Sequence, residues 1–137
     1  MDVPLFLVAD YVNTTPEGKL NVLGIFNRIF SDKFPTTHPQ LYVVIQVRVK
    51  PTEQGRPFNM ELLLMDQDGK RIFSASGQGN VPKLDPVGDG ESVTLMALAG
   101  LTFDKPGDYA FCLTINGEER GRRELRLEKR TKPKEGV

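Results

Sequence analysis

Phe103-Asp104-Lys105-Pro106-Gly107-Asp108-Tyr109-Ala110-Phe111 reads as the end of one strand, a Pro-Gly turn, and a second strand entered through a tyrosine. Proline presets the torsion of a turn's first corner, and glycine accepts the positive φ that such turns demand. A tyrosine just beyond the turn, with its hydroxyl returned to nearby backbone, resembles the corner of Greek-key sandwiches. Tyr109 as ordinary core packing is the competing account. Downstream, Phe111, Leu113 and Ile115 alternate with Cys112 and Thr114, which sends the first three into a core. Asn116-Gly117 then turns the chain into a last strand.

The same two-residue period is clearest over Leu41–Lys50, where Leu41, Val43, Ile45, Val47 and Val49 alternate with Tyr42, Val44, Gln46, Arg48 and Lys50. Further strands are expected at Leu5–Val12, Leu20–Phe30, Phe58–Met65, Arg71–Ser76, Val93–Thr102, Tyr109–Asn116 and Arg122–Lys129. Short turns at Pro16-Glu17-Gly18 and Asp68-Gly69 imply antiparallel hairpins. Gly24 sits within Leu20–Phe30 with bulk on both sides of it, which marks a bulge or a strand crossing between sheets. Runs and turns alternating about every 8–12 residues, with no helix-length segment, define an all-β fold. The expected architecture is an immunoglobulin-like (Greek-key) antiparallel β-sandwich of about eight strands.

Proline-containing stretches at Ser31–Gln40 and Gln78–Glu91 read as long loops. Residues 1–129 form a single domain in this reading, and 130–137 read as a disordered tail without apolar periodicity. At 137 residues the chain is long enough to bury a core without staples.

Eighteen Lys and Arg balance eighteen Asp and Glu, so no global field draws the chain to nucleic acid or an anionic membrane. Residues 120–137 carry five arginines and three lysines against Glu124, Glu128 and Glu135. They lack the interleaved aromatics of a base-stacking surface, and Arg122, Glu124, Arg126 and Glu128 read as the solvent face of an edge strand. Asp2 stands where a secretion signal carries positive charge, and the single cysteine, Cys112, has no disulfide partner in the chain. A cytoplasmic protein is the expectation.

Ala9-Asp10-Tyr11-Val12, followed by Gly18-Lys19-Leu20-Asn21-Val22-Leu23-Gly24-Ile25-Phe26 and Phe34-Pro35, resembles the opening of an uncharacterised family of small bacterial proteins carrying a domain of unknown function. The likeness extends through most of the chain. It implies a bacterial β-sandwich and supplies no activity and no site residue.

Catalytic residues are not expected. His38, the sole histidine, would have to activate any nucleophile, and its neighbours Thr36, Thr37 and Pro39 read as an exposed loop. Cys112, between Phe111 and Leu113, reads as a small buried hydrophobe. Asp66 and Asp68, and separately Asp85, Asp89 and Glu91, could gather around calcium, yet a hairpin turn and a solvated loop account for them. No phosphate-cradling glycine motif occurs, and no cofactor or metal ligand set is assigned. Asp10, inside an apolar strand, reads as an edge or outward carboxylate with a backbone or cation partner, the alternative being a ligand contact.

Apolar residues on nominally outward strand faces, Tyr42, Val44, Leu63, Met65, Met96 and Leu98, are candidates for a partner surface. The expected function is a non-enzymatic protein-binding or scaffolding module, with self-association as one mode. A small-ligand or calcium-binding module using the loops is the alternative, and an unrecognised enzyme stands third.

Overall fold

The computed structural model describes residues 1–83 and 90–130. Nine strands run through them: β1 Asp2–Thr14, β2 Leu20–Ile25, β3 Arg28–Ser31, β4 Thr36–Val49, β5 Pro57–Asp66, β6 Arg71–Asn80, β7 Gly90–Phe103, β8 Gly107–Ile115 and β9 Glu118–Lys129. They form two sheets, ordered β2-β1-β4-β7 and β3-β9-β8-β5-β6. Neighbours pair antiparallel except β3 and β9, which run parallel. No helix among the described residues is long and apolar enough to cross a membrane.

Alternation builds the core between the sheets. Leu41, Val43, Ile45 and Val47 of β4 face Leu62 and Leu64 of β5, Phe111, Leu113 and Ile115 of β8, and Leu125 and Leu127 of β9, all of them buried. Burying each such side chain contributes about 1.5–3 kcal/mol. The chain is therefore all-β, with two sheets packed face to face.

The corner around Tyr109 has the expected bond: its hydroxyl donates to the Lys105 carbonyl at 2.7 Å. Its ring lies edge-on to Phe103, centroids 4.9 Å apart, so the one residue ties the turn and fills the core. Tyr109→Phe keeps the packing and removes the bond, with an expected loss of about 0.5–1.5 kcal/mol in urea unfolding. An unchanged midpoint and slope would show that the corner bond adds nothing.

Hairpins form where turn chemistry places them. Asn116 and Gly117 both take positive φ, 52° and 80°, the requirement of the tight turn whose twist matches paired strands. At the β5–β6 turn the Asp66 carboxylate accepts the N–H groups of Asp68 and Lys70 at 2.9 and 2.8 Å.

Several expectations are corrected. Leu20–Phe30 is two strands, not one: β2 belongs to the first sheet and β3 to the second, so the chain crosses between sheets at Phe26-Asn27. The loop expected over Ser31–Gln40 is shorter, because Thr36–Gln40 extend β4 against β7. Pro39 is tolerated there because the β1 pairing of β4 ends at Tyr42, leaving one side of the strand without a ladder to break. Gln78–Asn80 and Gly90-Glu91 likewise belong to β6 and β7, while residues 84–89, with Asp85 and Asp89, lie outside the described residues. So does the expected tail from residue 131. β9 is no edge strand, since β3 pairs with its Arg126–Lys129 end; Arg122, Glu124 and Arg126 nevertheless face solvent, as their alternation with buried Leu125 and Leu127 requires.

Candidate functional site

β1 and β4 each bury one face in the main core and carry apolar residues on the other. Leu7, Ala9, Val12 and Val44 form a second buried cluster, with Leu5, Leu20, Val22 and Tyr42 packed against it. Strand register makes this cluster continuous across the sheet, because cross-strand partners share a face. Ile25, Ala9, Tyr42 and Ala97 form one row over all four strands. Leu7, Val44 and Leu95 form the next, and Leu5, Gln46 and Val93 the one after. On the far side of the first row, Tyr11 packs edge-on against Tyr42 at 5.5 Å, opposite Leu23.

The upper layer of this face is open to solvent: Leu23 is 60% exposed, Ile25 59%, Tyr11 45%, Val93 41% and Leu95 37%. Of the six exposed large hydrophobics among the described residues, only Phe30 of β3 lies on the other sheet. A sandwich face turned to water ordinarily carries polar residues. Charge is confined to one rim, where the Glu91 carboxylate accepts from Arg48 at 3.3 Å and from Gln46 at 2.9 Å, and Asp2 lies opposite Arg48 in register.

The six residues singled out from sequence divide three ways. Tyr42 and Val44 belong to this face, Val44 buried beneath it. Leu63 and Met65 alternate with the core residues Leu62 and Leu64 and so turn to the outer side of the other sheet; Leu63 is buried there beside Cys112. Met96 and Leu98 point inward: Leu98 is core and Met96 packs on it. Gly100 explains that last reversal. Its φ of 69° resets the alternation of β7, so that Leu98 and Leu101, three residues apart, both enter the core. Alternation counted back from Leu101 and Phe103 would send Leu95 in and Met96 out, and the opposite holds.

The remaining candidates take structural places. Asp10 is exposed, but β1 is an interior strand, so the edge reading is corrected. Its side chain lies over Gly24, whose φ is 68° and where a Cβ would come within 2.5 Å of the carboxylate. His38, expected in an exposed loop, is instead half-buried in β4, its ring 5.9 Å from Phe26. Cys112 is buried, and its burial raises the thiol's pKa against the opposing pull of Arg122, whose Nη1 donates to Sγ at 3.5 Å. Asp68 pairs with Lys105, and Lys70 with Asp104, each at 3.0 Å across the turn.

Burial lowers the His38 pKa below its ordinary 6.5, overcoming the upward influence of Asp10 and of the Gln40 backbone. The unfolded chain therefore binds the proton more tightly than the fold does. His38 contributes stability that is full above pH 6.5 and lost as pH falls below it. A thermal-melting series from neutral to mildly acidic pH is expected to show a decline that His38→Gln flattens. A wild-type and variant pair with parallel pH profiles would contradict it.

A family model matches residues 4–128, nearly the whole described chain. The chain belongs to a family of unknown function, DUF6941. No curated protein matches it. In this DUF6941 domain the match takes in all of the apolar rows above, from Leu5 to Ala97, together with the Tyr109 corner.

Proposed function

We propose that this DUF6941 domain is a non-enzymatic protein-binding module that joins a second copy of itself through the outer face of the β2-β1-β4-β7 sheet. The observation that carries the reading is the set of exposed apolar residues on all but the β4 strand of that face, seated on a buried apolar underlayer. Size sets the strength. Rows from Leu5 to Tyr11 at about 3.4 Å per residue, on four strands about 4.8 Å apart, give a face on the order of 400 Å². A standard interface takes about 800 Å² from each partner, so the dimer is weak and reversible.

A second copy suits the face on charge. The chain has no net charge to repel its like. At the rim, Arg48 and Glu91 stand side by side, so a two-fold axis passing between them would set each against its opposite charge on the second copy. Immunoglobulin-like, Greek-key topology is part of the same reading, supported by the Tyr109 corner and the two packed sheets. A bacterial cytoplasmic setting fits the resemblance carried by Ala9–Val12 and Gly18–Phe26, and a lone cysteine held as a buried thiol.

Light scattering on size-exclusion fractions tests the proposal, over loads from micromolar to near-millimolar. The expected mass rises smoothly from one chain toward two. A mass of one chain throughout would refute self-association.

A further inference from the structure

We infer that the cleft between the β6 and β7 edges is a binding site for a small molecule with an apolar body and an uncharged polar end, of the kind a medium-chain alcohol represents. It lies between the sheets, away from the outer face proposed for self-association. The cavity measures about 340 Å³ and opens to solvent at that side of the sandwich. That is more than twice the roughly 150 Å³ apolar cavity that admits benzene, and it falls in the range of about 300–1,000 Å³ typical of ligand pockets.

The cleft follows from which residues the two edge strands turn inward. On β6 these are Ala75, Gly77 and Gly79, opposite Leu62, Met60 and Phe58 of β5. On β7 they are Gly90, Ser92 and Thr94, opposite Val49, Val47 and Ile45 of β4. At these positions bulk comes from the inner strands, and the edges leave a gap between the sheets. A Cβ built on Gly77 meets no atom of the described residues within 4 Å, so among them the space extends to the β6 backbone itself.

The lining is adaptable and nearly uncharged. Met1, Met60 and Met96 supply flexible thioethers that conform to an apolar guest. Ser92 and Thr94, turned inward on β7, bring hydroxyl groups that hydrogen-bond a neutral polar end. Glu91 alternates with Gly90 and Ser92 and keeps its carboxylate on the outer face with Arg48 and Gln46, so none of the described inward-turned lining side chains ionises. An anionic end would lose its hydration in this apolar cleft with no inward-turned lining side-chain cation to offset the cost, the Met1 α-ammonium being already held by Glu53.

The chain has four methionines, and Met65 alone is outside the cleft, which makes it an internal reference. With isotope-labelled methionine methyls, a decanol titration is expected to shift the Met60 and Met96 resonances saturably and leave Met65 in place. Gly77→Leu, which fills the gap from β6, is expected to weaken binding at least tenfold. Ser92→Leu fills it from β7 and serves if the first variant disturbs the Met65 resonance. Decanoate at neutral pH is expected to bind at least threefold more weakly than decanol. The inference is overturned by absence of saturable shifts, by shifts at Met65 alone, or by binding that survives both closures. Decanoate binding as tightly as decanol would overturn the uncharged class of ligand.

Discussion

Replacing Leu23 and Ile25 together by glutamate is expected to weaken self-association at least about 100-fold while leaving the monomer folded. Both side chains stand more than half exposed on β2, so the fold loses little when they change. In a dimer the same residues would be covered, and each apolar side chain removed from water contributes about 1.5–3 kcal/mol when fully buried. Losing even half of that from both, and placing two carboxylates against an apolar surface, exceeds the roughly 2.7 kcal/mol that corresponds to 100-fold. Sedimentation equilibrium on wild type and variant measures the change, with urea unfolding as the check on the fold. Phe30→Glu is the matched control, because Phe30 is a similarly exposed apolar residue on the other sheet. Its association is expected to equal that of wild type. Equal association by the Leu23/Ile25 variant would remove the face from consideration.

Phe111→Ala is expected to cost about 3–5 kcal/mol, through lost transfer free energy and the cavity left behind. Phe111 is fully buried in β8, opposite Leu64 of β5, within the core shared by both sheets. A domain of ordinary stability has only about 5–15 kcal/mol in total, so the variant should unfold at far lower urea. A loss under about 1 kcal/mol would contradict the packing of Phe111 in the core between the two sheets.

These two residues mark what the sequence disclosed and what it did not. Phe111 was legible because β8 is regular: Phe111, Leu113 and Ile115 keep one parity from the corner to the Asn116-Gly117 turn, and all three are buried. β4 was legible for the same reason. Leu23 and Ile25 belong to a run that crosses from one sheet to the other, and where the crossing falls is settled by the pairing of β2 with β1 and of β3 with β9. The second pairing joins residues about a hundred positions apart, which no local pattern announces.

Backbone torsion hid the rest. Gly100 takes a positive φ inside β7, and the parity of its neighbours depends on that torsion rather than on their side chains. Met96 and Leu98 are therefore core residues, while Leu95 and Val93 complete the exposed face with Tyr42. A glycine flanked by apolar residues three apart is the signal that could have located this reversal. The cleft had a signal too: Ala75, Gly77 and Gly79 are small residues in strict alternation on a strand, opposite Leu62, Met60 and Phe58. Its meaning needed the second sheet, since small residues make a cavity only where the facing edge strand is also small.

The central claim is that the outer face of the β2-β1-β4-β7 sheet joins two copies, and a dilution series of methyl spectra with labelled Ile, Leu and Val tests it most directly. The methyls of Leu23, Ile25, Val93 and Leu95 are expected to shift together with concentration along a single binding curve, while those of core Leu113 and of Leu63 on the other sheet stay fixed. Methyls of the face that hold their positions over the whole series, or shifts confined to Leu63, would contradict the claim.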